Sequence, residues 1–469
     1  MQDKKAAKEV SSIKHEFERA LGEIQTRVSL SASVSRSMAI AYSGGLDSAA
    51  LLRLAHDYAT RHQIKLFAFH VHHGLSQNAD QWLSHCRVQC EQLGVAFDSR
   101  HIEVGKKEKN GVEEAARLSR YAALGEMCSA HDVSLLLTAH HLDDQAETVL
   151  LQLLRGSGVA GLSGMDESNY AADLLGNATL LIARPLLQVA RVNLAEFVQQ
   201  HAIPFVEDES NLDPRYARNA LRHNVMPTLK QYFPGFQQRF ARTAQHAQSA
   251  QRLLIELASQ DLNVCLDGDC LDVTKIREFS CDRIDNMLRY WFGLRGVRMP
   301  STSWLNEMRT QLLEAKHDAQ LCVTHADCHI RRHRDRVFIT PKLDPAMLEQ
   351  PPLAFRWNGE ASMHWPQFGG TLYFEKAEQG VAADWLTAQP LTIQLRSGGE
   401  RLKPACNRPT KSLKYHYQAC DVPAWERERL PLIFAEKQLL FAAGIGMDCH
   451  CLGAAPASLI LFRWQFDLG

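Results

Sequence analysis

At 469 residues, with 45% apolar and 22% charged residues, the chain is too long for one core and reads as two or three globular domains. Its formal net charge of −1 excludes attraction of nucleic acid by overall charge, so any such affinity must rest on local basic patches. The twelve cysteines form no disulfide framework, and Cys86/Cys90 and Cys449/Cys451 lack C-x-x-C spacing. Reduced thiols in a cytosolic protein are therefore expected, and no metal ligands are assigned. No run reaches transmembrane length and the amino terminus carries no apolar signal core, so no membrane partner is expected.

The apolar positions Val10, Ile13, Phe17, Leu21 and Ile24 predict one amphipathic helix over 5–27. The apolar run from Met38 then breaks into Ser43-Gly44-Gly45-Leu46-Asp47-Ser48, and Ala49 to Ala55 continues at helical spacing. That pattern predicts a strand, a tight glycine turn and a helix start. Two glycines let backbone N–H groups approach a ligand, two serines add hydroxyls, and the helix N-terminus adds free N–H groups and a positive dipole end. Such a cradle suits phosphate, yet it lacks the lysine and the spacing of a Walker A loop.

Ile64 to Val71 predicts a buried parallel strand ending in His72-His73-Gly74-Leu75. For His72 and His73 a packing role and a nucleotide contact are equally open. A helix over 77–93, a strand from Val95 to Ile102, a polar loop from Gly105 to Gly111 and a helix bearing Glu113, Arg117, Arg120 and Tyr121 follow. Val133 to Ala139 predicts another buried strand, which runs into His140-His141-Leu142-Asp143-Asp144-Gln145-Ala146-Glu147-Thr148. Strands alternating with helices predict an α/β fold with a doubly wound parallel sheet. In such sheets ligands sit beyond the carboxyl ends of the strands, where the Ser-Gly-Gly loop, the His72-His73 turn and the His140 segment all fall.

Gly156-Ser157-Gly158-Val159-Ala160-Gly161 matches the dinucleotide fingerprint by letter. It follows a helix instead of a strand and precedes loop, so the dinucleotide reading is rejected. Helical patterns run from Arg215 to about residue 315, with Arg289 to Phe292 as a buried face. A strand pair, Ala319 to Thr324 and Cys328 to Thr340, carries Arg331, Arg332, Arg334 and Arg336. Pro341 to Pro352 reads as a linker, and a small α/β unit with glycine-rich turns completes the chain.

Asp144 and Glu147 stand three apart on a helix and share a face. Two carboxylates at a helix start beside His140 can coordinate Mg²⁺ or hold a substrate cation, and acidic helix capping is the plainer alternative. Arg120 is a candidate counter-charge for phosphate, because a guanidinium grips oxyanions bidentately, although a solvated helix arginine would look the same. Arg396, Arg401, Lys403, Arg408, Lys411 and Lys414 form a basic cluster that is either a solvated face or an RNA contact.

The hexad Ser43–Ser48 resembles the PP-loop of the N-type ATP pyrophosphatases. With His72–Leu75, Glu113–Tyr121, Leu136–Thr148, Arg155–Ser163, Arg184–Leu187, Asp208–Arg222 and Arg396–Trp425, the chain resembles the tRNA(Ile)-lysidine synthetase family nearly throughout. The resemblance implies a catalytic domain over 1–215, a mainly helical tRNA-binding domain over 216–340, a linker over 341–384 and a small tRNA-binding domain over 385–469. It implies ATP and Mg²⁺ as cofactors, with Ser43, Gly44, Gly45, Leu46, Asp47 and Ser48 at the nucleotide. L-lysine would sit on Asp144 and Glu147, Asp47, Arg120 and His140 would serve catalysis, and the late basic cluster would hold the tRNA. The partner implied is an isoleucine tRNA with a CAU anticodon, and a homodimer is compatible with the sequence. Tandem C-x-x-C pairs, which a tRNA thiolase would use, are missing, and the intact loop and carboxylates argue against a non-catalytic tRNA-binding scaffold.

Overall fold

The computed structural model describes residues 2–29, 37–74, 76–102, 112–207, 209, 217–315, 321–342 and 350–467. The expected loop over 105–111, Leu75, Asp208, all of 210–216, Ala319 and most of the 341–352 linker lie outside the described residues. Two compact units divide the chain, Met1–Glu256 and Leu257–Gly469.

The first unit opens with helix α1 (Gln2–Ser29), strand β1 (Ser37–Ala41), α2 (Leu46–His62), β2 (Lys65–His72), α3 (Ala79–Leu93) and β3 (Ala96–His101). It continues through α4 (Val112–Ala130), β4 (Leu135–Leu137), α5 (Leu142–Leu154), α6 (Val159–Leu162), β5 (Ser168–Tyr170), α7 (Ala172–Leu175), β6 (Leu181–Ala183) and α8 (Arg191–Gln200). The sheet order is β3-β2-β1-β4-β6-β5, and every pair is parallel except the edge pair β5–β6. Strand order reverses between β1 and β4, paired Ala39 to Leu136 and Ile40 to Leu137. The crevice beyond that pair is where a doubly wound sheet binds its ligand.

Both faces of the sheet are covered, which is why its strands are apolar without alternation. On one face Ile13, Phe17, Leu21 and Ile24 of α1 pack with Leu51 and Leu54 of α2 and Phe197 of α8. On the other, Tyr121, Leu124 and Met127 of α4 pack on Phe67, Phe69 and Leu136. The expected amphipathic helix is thus part of the core. The 156–161 stretch follows α5 and leads into the short α6, so it is still not a strand-to-helix turn.

Beyond α8, Ala217–Ala220 forms a helical turn, Leu221–Val225 a π-helical turn, and Met226–Tyr232 a further helix ahead of the long helix Phe236–Cys265.

In the second unit, helices Cys281–Leu294 and Thr302–Glu314 bury Trp291, Phe292, Leu305 and Met308 against a five-stranded antiparallel sheet. The single strand expected over 328–340 is a hairpin, Cys328–His333 and Arg336–Pro341, turning at Arg334 with φ of 53°. A second five-stranded sheet and the pairing of Gly370–Ala382 with Gly453–Phe466 build the last part of the chain, again antiparallel, around Leu391, Ile393, Leu432 and Phe441.

Candidate active site

The turn after β1 has the geometry its letters predict. Gly44 sits at φ of +87°, and a Cβ built on it would lie 2.8 Å from the Cys86 sulfur, so only glycine fits. The Val206 N–H donates to the Gly44 carbonyl at 2.9 Å and pins the turn. Ser43 Oγ and Ser48 Oγ lie 3.1 Å apart, and Ser48 Oγ donates to the Gly45 carbonyl at 2.9 Å. Gly45 is the N-cap residue of α2 and offers no side-chain cap, which leaves the first turn's N–H groups to a ligand. A Cβ on Gly45 would make only ordinary contacts with the protein. Its lack of a side chain therefore leaves room in the cradle itself.

Asp47 Oδ1 is buried without a hydrogen-bond partner. Oδ2 lies 3.6 Å from His141 Nε2, and Arg191 Nε lies 3.5 Å from Oδ1. Burial alone would raise this carboxyl, but the adjoining His141 imidazole and the charges of Arg191 and Arg222 outweigh it and hold it low. A partly exposed, ionised carboxylate whose Oδ1 accepts no hydrogen bond, beside a phosphate cradle, fits a magnesium ligand.

Beyond β4, His141 is 1% exposed and caps α5, accepting from the Asp144 N–H at 3.3 Å through Nδ1 while Asp144 Oδ2 accepts from the His141 N–H at 3.1 Å. Burial would lower its imidazole, yet Asp47, whose Oδ2 lies 3.6 Å from Nε2, and the charges of Asp144 and Asp143 raise it. His141 thus joins the cradle to the carboxylate pair, a link that the residue pattern placed on His140.

His140 takes a different part. Its Nδ1 lies 2.9 Å from Thr138 Oγ1. Its imidazole is held well below the usual range, first by burial and then by the charges of Arg184, Arg218, Arg120 and Arg117. Arg120 itself is lowered by burial and by Arg117 and Arg218, and it has no carboxylate within salt-bridge distance among the described residues. Arg184 donates through Nη1 to the Asp166 carbonyl and to Asn169 Oδ1, both at 2.8 Å, and its buried Nε has no partner. Several guanidinium groups around a neutral histidine make an anion pocket.

Asp144 and Glu147 share a face of α5, and both are buried. Arg218 reaches Glu147 Oε2 through Nε at 2.8 Å and Asp144 Oδ1 through Nη2 at 3.1 Å. Arg222 reaches Glu147 Oε1 through Nε at 2.7 Å and Asp144 Oδ1 through Nη2 at 3.2 Å. The two arginines are four apart, one in the helical turn and one in the π-helical turn that follows, a local widening common at functional sites. Capping alone does not account for this pair: Asp144 caps with one oxygen, while Glu147 is a buried anion gripped by cations.

Among the other expected residues, His72 lies 3.2 Å from Asp80 and 4.3 Å from the His101 ring. Of the late basic cluster, Arg401, Arg408, Lys411 and Lys414 are exposed. Arg396 is partly buried near Glu400 at 3.5 Å, and Lys403 is partly buried. Reading by residue type did not single out His141, Arg117, Arg184, Arg191, Arg218 or Arg222. Arg218 and Arg222 carry a signal only in hindsight, an i, i+4 cation pair matching an i, i+3 carboxylate pair.

Residues 13–229 match a family model described as a PP-loop domain, 271–338 one described as a TilS substrate binding domain, and 391–464 one described as a TilS substrate C-terminal domain. The tRNA(Ile)-lysidine synthase of Burkholderia pseudomallei (strain K96243) is 38% identical over 464 residues, covering 92% of this chain and 94% of the relative. That of Ralstonia nicotianae (strain ATCC BAA-1114 / GMI1000) is 40% identical over 423 residues, covering 88% and 89%. That of Coxiella burnetii (strain RSA 493 / Nine Mile phase I) is 35% identical over 414 residues, again covering 88% and 89%. With this cradle, these carboxylates and relatives that align along almost its whole length, the chain belongs to the tRNA(Ile)-lysidine synthase family.

Proposed function

We propose that the chain ligates L-lysine to C2 of the wobble cytidine in an isoleucine tRNA with a CAU anticodon, at the expense of ATP. The observation that carries this reading is the convergence of a phosphate cradle, an arginine-rich anion pocket and a buried carboxylate pair at one topological switch point. The cytidine O2 attacks the α-phosphorus and pyrophosphate leaves, its charge met by the α2 N-terminus and the two serines. A magnesium ion on Asp47 would neutralise charge on the departing phosphates. Arg120 and Arg184 face the anion around the α-phosphate, and His140 is held neutral beside them.

The lysine ε-amine then attacks C2, the C2–O bond breaks and AMP leaves. The attacking amine must shed a proton while the other amino group stays cationic, and two carboxylates serve both needs. Arg218 and Arg222 now occupy those carboxylates, so an entering lysine replaces part of that pairing. A cleft of about 500 Å³ beside α5, lined by Gln188, Gln245, Gln251 and Arg252 among others, offers amides and a guanidinium to unstacked bases.

The expected division of labour places catalysis over 1–215 and tRNA binding over 216–340 and 385–469, the latter through the exposed Arg401, Arg408, Lys411 and Lys414. Sulfur transfer fits the thiols poorly. Burial pushes Cys86 and Cys90, next to the cradle, up to about 12, the opposite of a reactive thiolate. Incubating the protein with ATP, lysine and the tRNA, then weighing the tRNA nucleosides, tests the proposal. A cytidine heavier by lysine less water is expected, and its absence with active protein would defeat the reading.

A further inference from the structure

The sequence spacing of Cys449 and Cys451 suggests no metal, but the fold brings a separate cysteine to the first of them. The Lys403 N–H donates to Asp448 Oδ2 at 2.9 Å, and the Cys449 N–H donates to the Lys403 carbonyl at 2.8 Å. This two-way clamp ties the loop between strands Arg401–Leu402 and Lys411–Ser412 to the tight turn Cys449–Cys451. It also brings Cys406, on that loop, next to Cys449. Ligand atoms of Asp448, Cys449 and His450 lie within 4.8 Å of one another. One thiol, an imidazole and a carboxylate therefore meet in that turn, and the loop tied to it holds a second thiol, Cys406, next to Cys449.

We propose that Cys406, Cys449, His450 and Asp448 bind a structural zinc ion. Sulfur with an imidazole selects a borderline-soft ion over magnesium or calcium, and Cys406, closing on the ion from the tied loop, would complete the four ligands of a structural zinc. The Asp448 oxygens already accept the N–H groups of His450 and Lys403, both at 2.9 Å. Those bonds orient the carboxylate, as outer partners do around metal ligands, and leave each oxygen a second lone pair. Turn capping explains the aspartate but not the two thiols and imidazole beside it. On binding, both thiols release their protons to solvent. The ion would staple the loop carrying Arg408 to the C-terminal core. Any consequence for RNA rests on the proposed function, whereas the metal itself does not.

The full-length protein, purified without chelator and loaded with Co²⁺, is expected to bind one equivalent with a near-ultraviolet sulfur-to-cobalt charge-transfer band. Zinc should displace the cobalt and slow alkylation of Cys406 severalfold. Cys406 is exposed, so Cys406→Ser should fold and weaken the band, and His450→Ala should alter its ligand-field absorption. Absence of the band in the wild-type protein, or an unchanged band in Cys406→Ser, would overturn the proposal. So would a Cys406–Cys449 disulfide with no bound metal in protein kept under thiol reductant. Loss of RNA affinity in Cys406→Ser with the cobalt band intact would likewise count against the staple, while intact metal binding without turnover would count only against the proposed function.

Discussion

Replacing Glu147 with glutamine removes one charge at the centre of the carboxylate–arginine cluster and changes almost nothing in volume. Glu147 is 2% exposed and accepts from Arg218 Nε at 2.8 Å, Arg222 Nε at 2.7 Å and Arg222 Nη2 at 2.9 Å. One charge-assisted hydrogen bond to bound lysine is worth about 1.5–3 kcal/mol, roughly a 10- to 150-fold rise in half-saturating lysine. The same change loosens the arginine pairing that lysine must displace, so the expected rise lies near the lower end, about tenfold. The cradle is untouched, so adenylated tRNA should still form and accumulate when lysine is withheld. Because Asp144 and the glutamine carbonyl still meet the guanidinium groups, the cost in stability should be about 1–3 kcal/mol, less than breaking a buried pair outright. The assay is turnover against lysine at saturating ATP and tRNA, with acid-quenched detection of the adenylate. An unaltered lysine dependence would refute the assignment. Adenylation abolished and then restored by added Mg²⁺ would move Glu147 from lysine to metal.

Ser48→Ala should keep the fold and lower AMP formation roughly 10- to 150-fold, the loss of about 1.5–3 kcal/mol of hydrogen bonding to phosphate; near wild-type turnover would place the cradle elsewhere. Gly44→Ala should lower the thermal midpoint and ATP binding together, since its Cβ would meet Cys86 Sγ at 2.8 Å at a φ of +87°. Adding Cys86→Ala should then recover part of the stability, and no recovery would mean that backbone strain alone is at fault. For pH, Asp47 is held below its usual 3.8, so its contribution to stability is present above that value and lost as pH falls through the lowered one. His141 is held above 6.5, so its contribution is fully present below that value and lost as pH rises through the raised one. The stability gap between wild type and His141→Gln should therefore be widest between about pH 4 and 6.5 and shrink on both sides, whereas a gap that widens towards alkaline pH would show that the neutral imidazole, accepting the Asp144 N–H through Nδ1, is the stabilising form and would contradict the ion pair. Neutralising Arg401, Arg408, Lys411 and Lys414 together should flatten the salt dependence of tRNA binding by up to about 0.9 for each phosphate left without its cation, and an unchanged slope would remove the C-terminal assignment.

What could be read from the chain, and what could not, follows from how far each feature reaches in sequence. The cradle is local: its glycines, serines and helix start lie within Ser43–Ser48, and the strand that feeds it is apolar on both faces, so pattern and structure agree. The parallel sheet is nearly as local, because alternation of strand and helix repeats along the first 200 residues. The hairpin at 328–341 has no such local mark, since Arg334-Asp335 carries no glycine or asparagine-glycine turn signal, although Arg334 adopts φ of 53°.

The electrostatics of the site are not local, and there the residue types mislead. His140 and His141 are neighbours of identical letter, yet the backbone turns one towards guanidinium groups and the other towards carboxylates, with opposite shifts. No composition rule separates them; only the cap geometry of α5 does. Asp144 and Glu147 were legible as a pair, but not their partners, which stand beyond the sheet in a segment whose π-helical turn has no reliable sequence mark. That pairing changes the chemistry. A carboxylate pair open to solvent would meet any cation, whereas one already held by two bidentate guanidinium groups excludes weak binders and admits a competitor with matching charge and reach. Lysine, with two amines on a flexible stem, can satisfy both carboxylates at once, while a monovalent ion or a short amine cannot span them. The arginines would thus act as a threshold against the wrong nucleophile as well as ballast for buried negative charge.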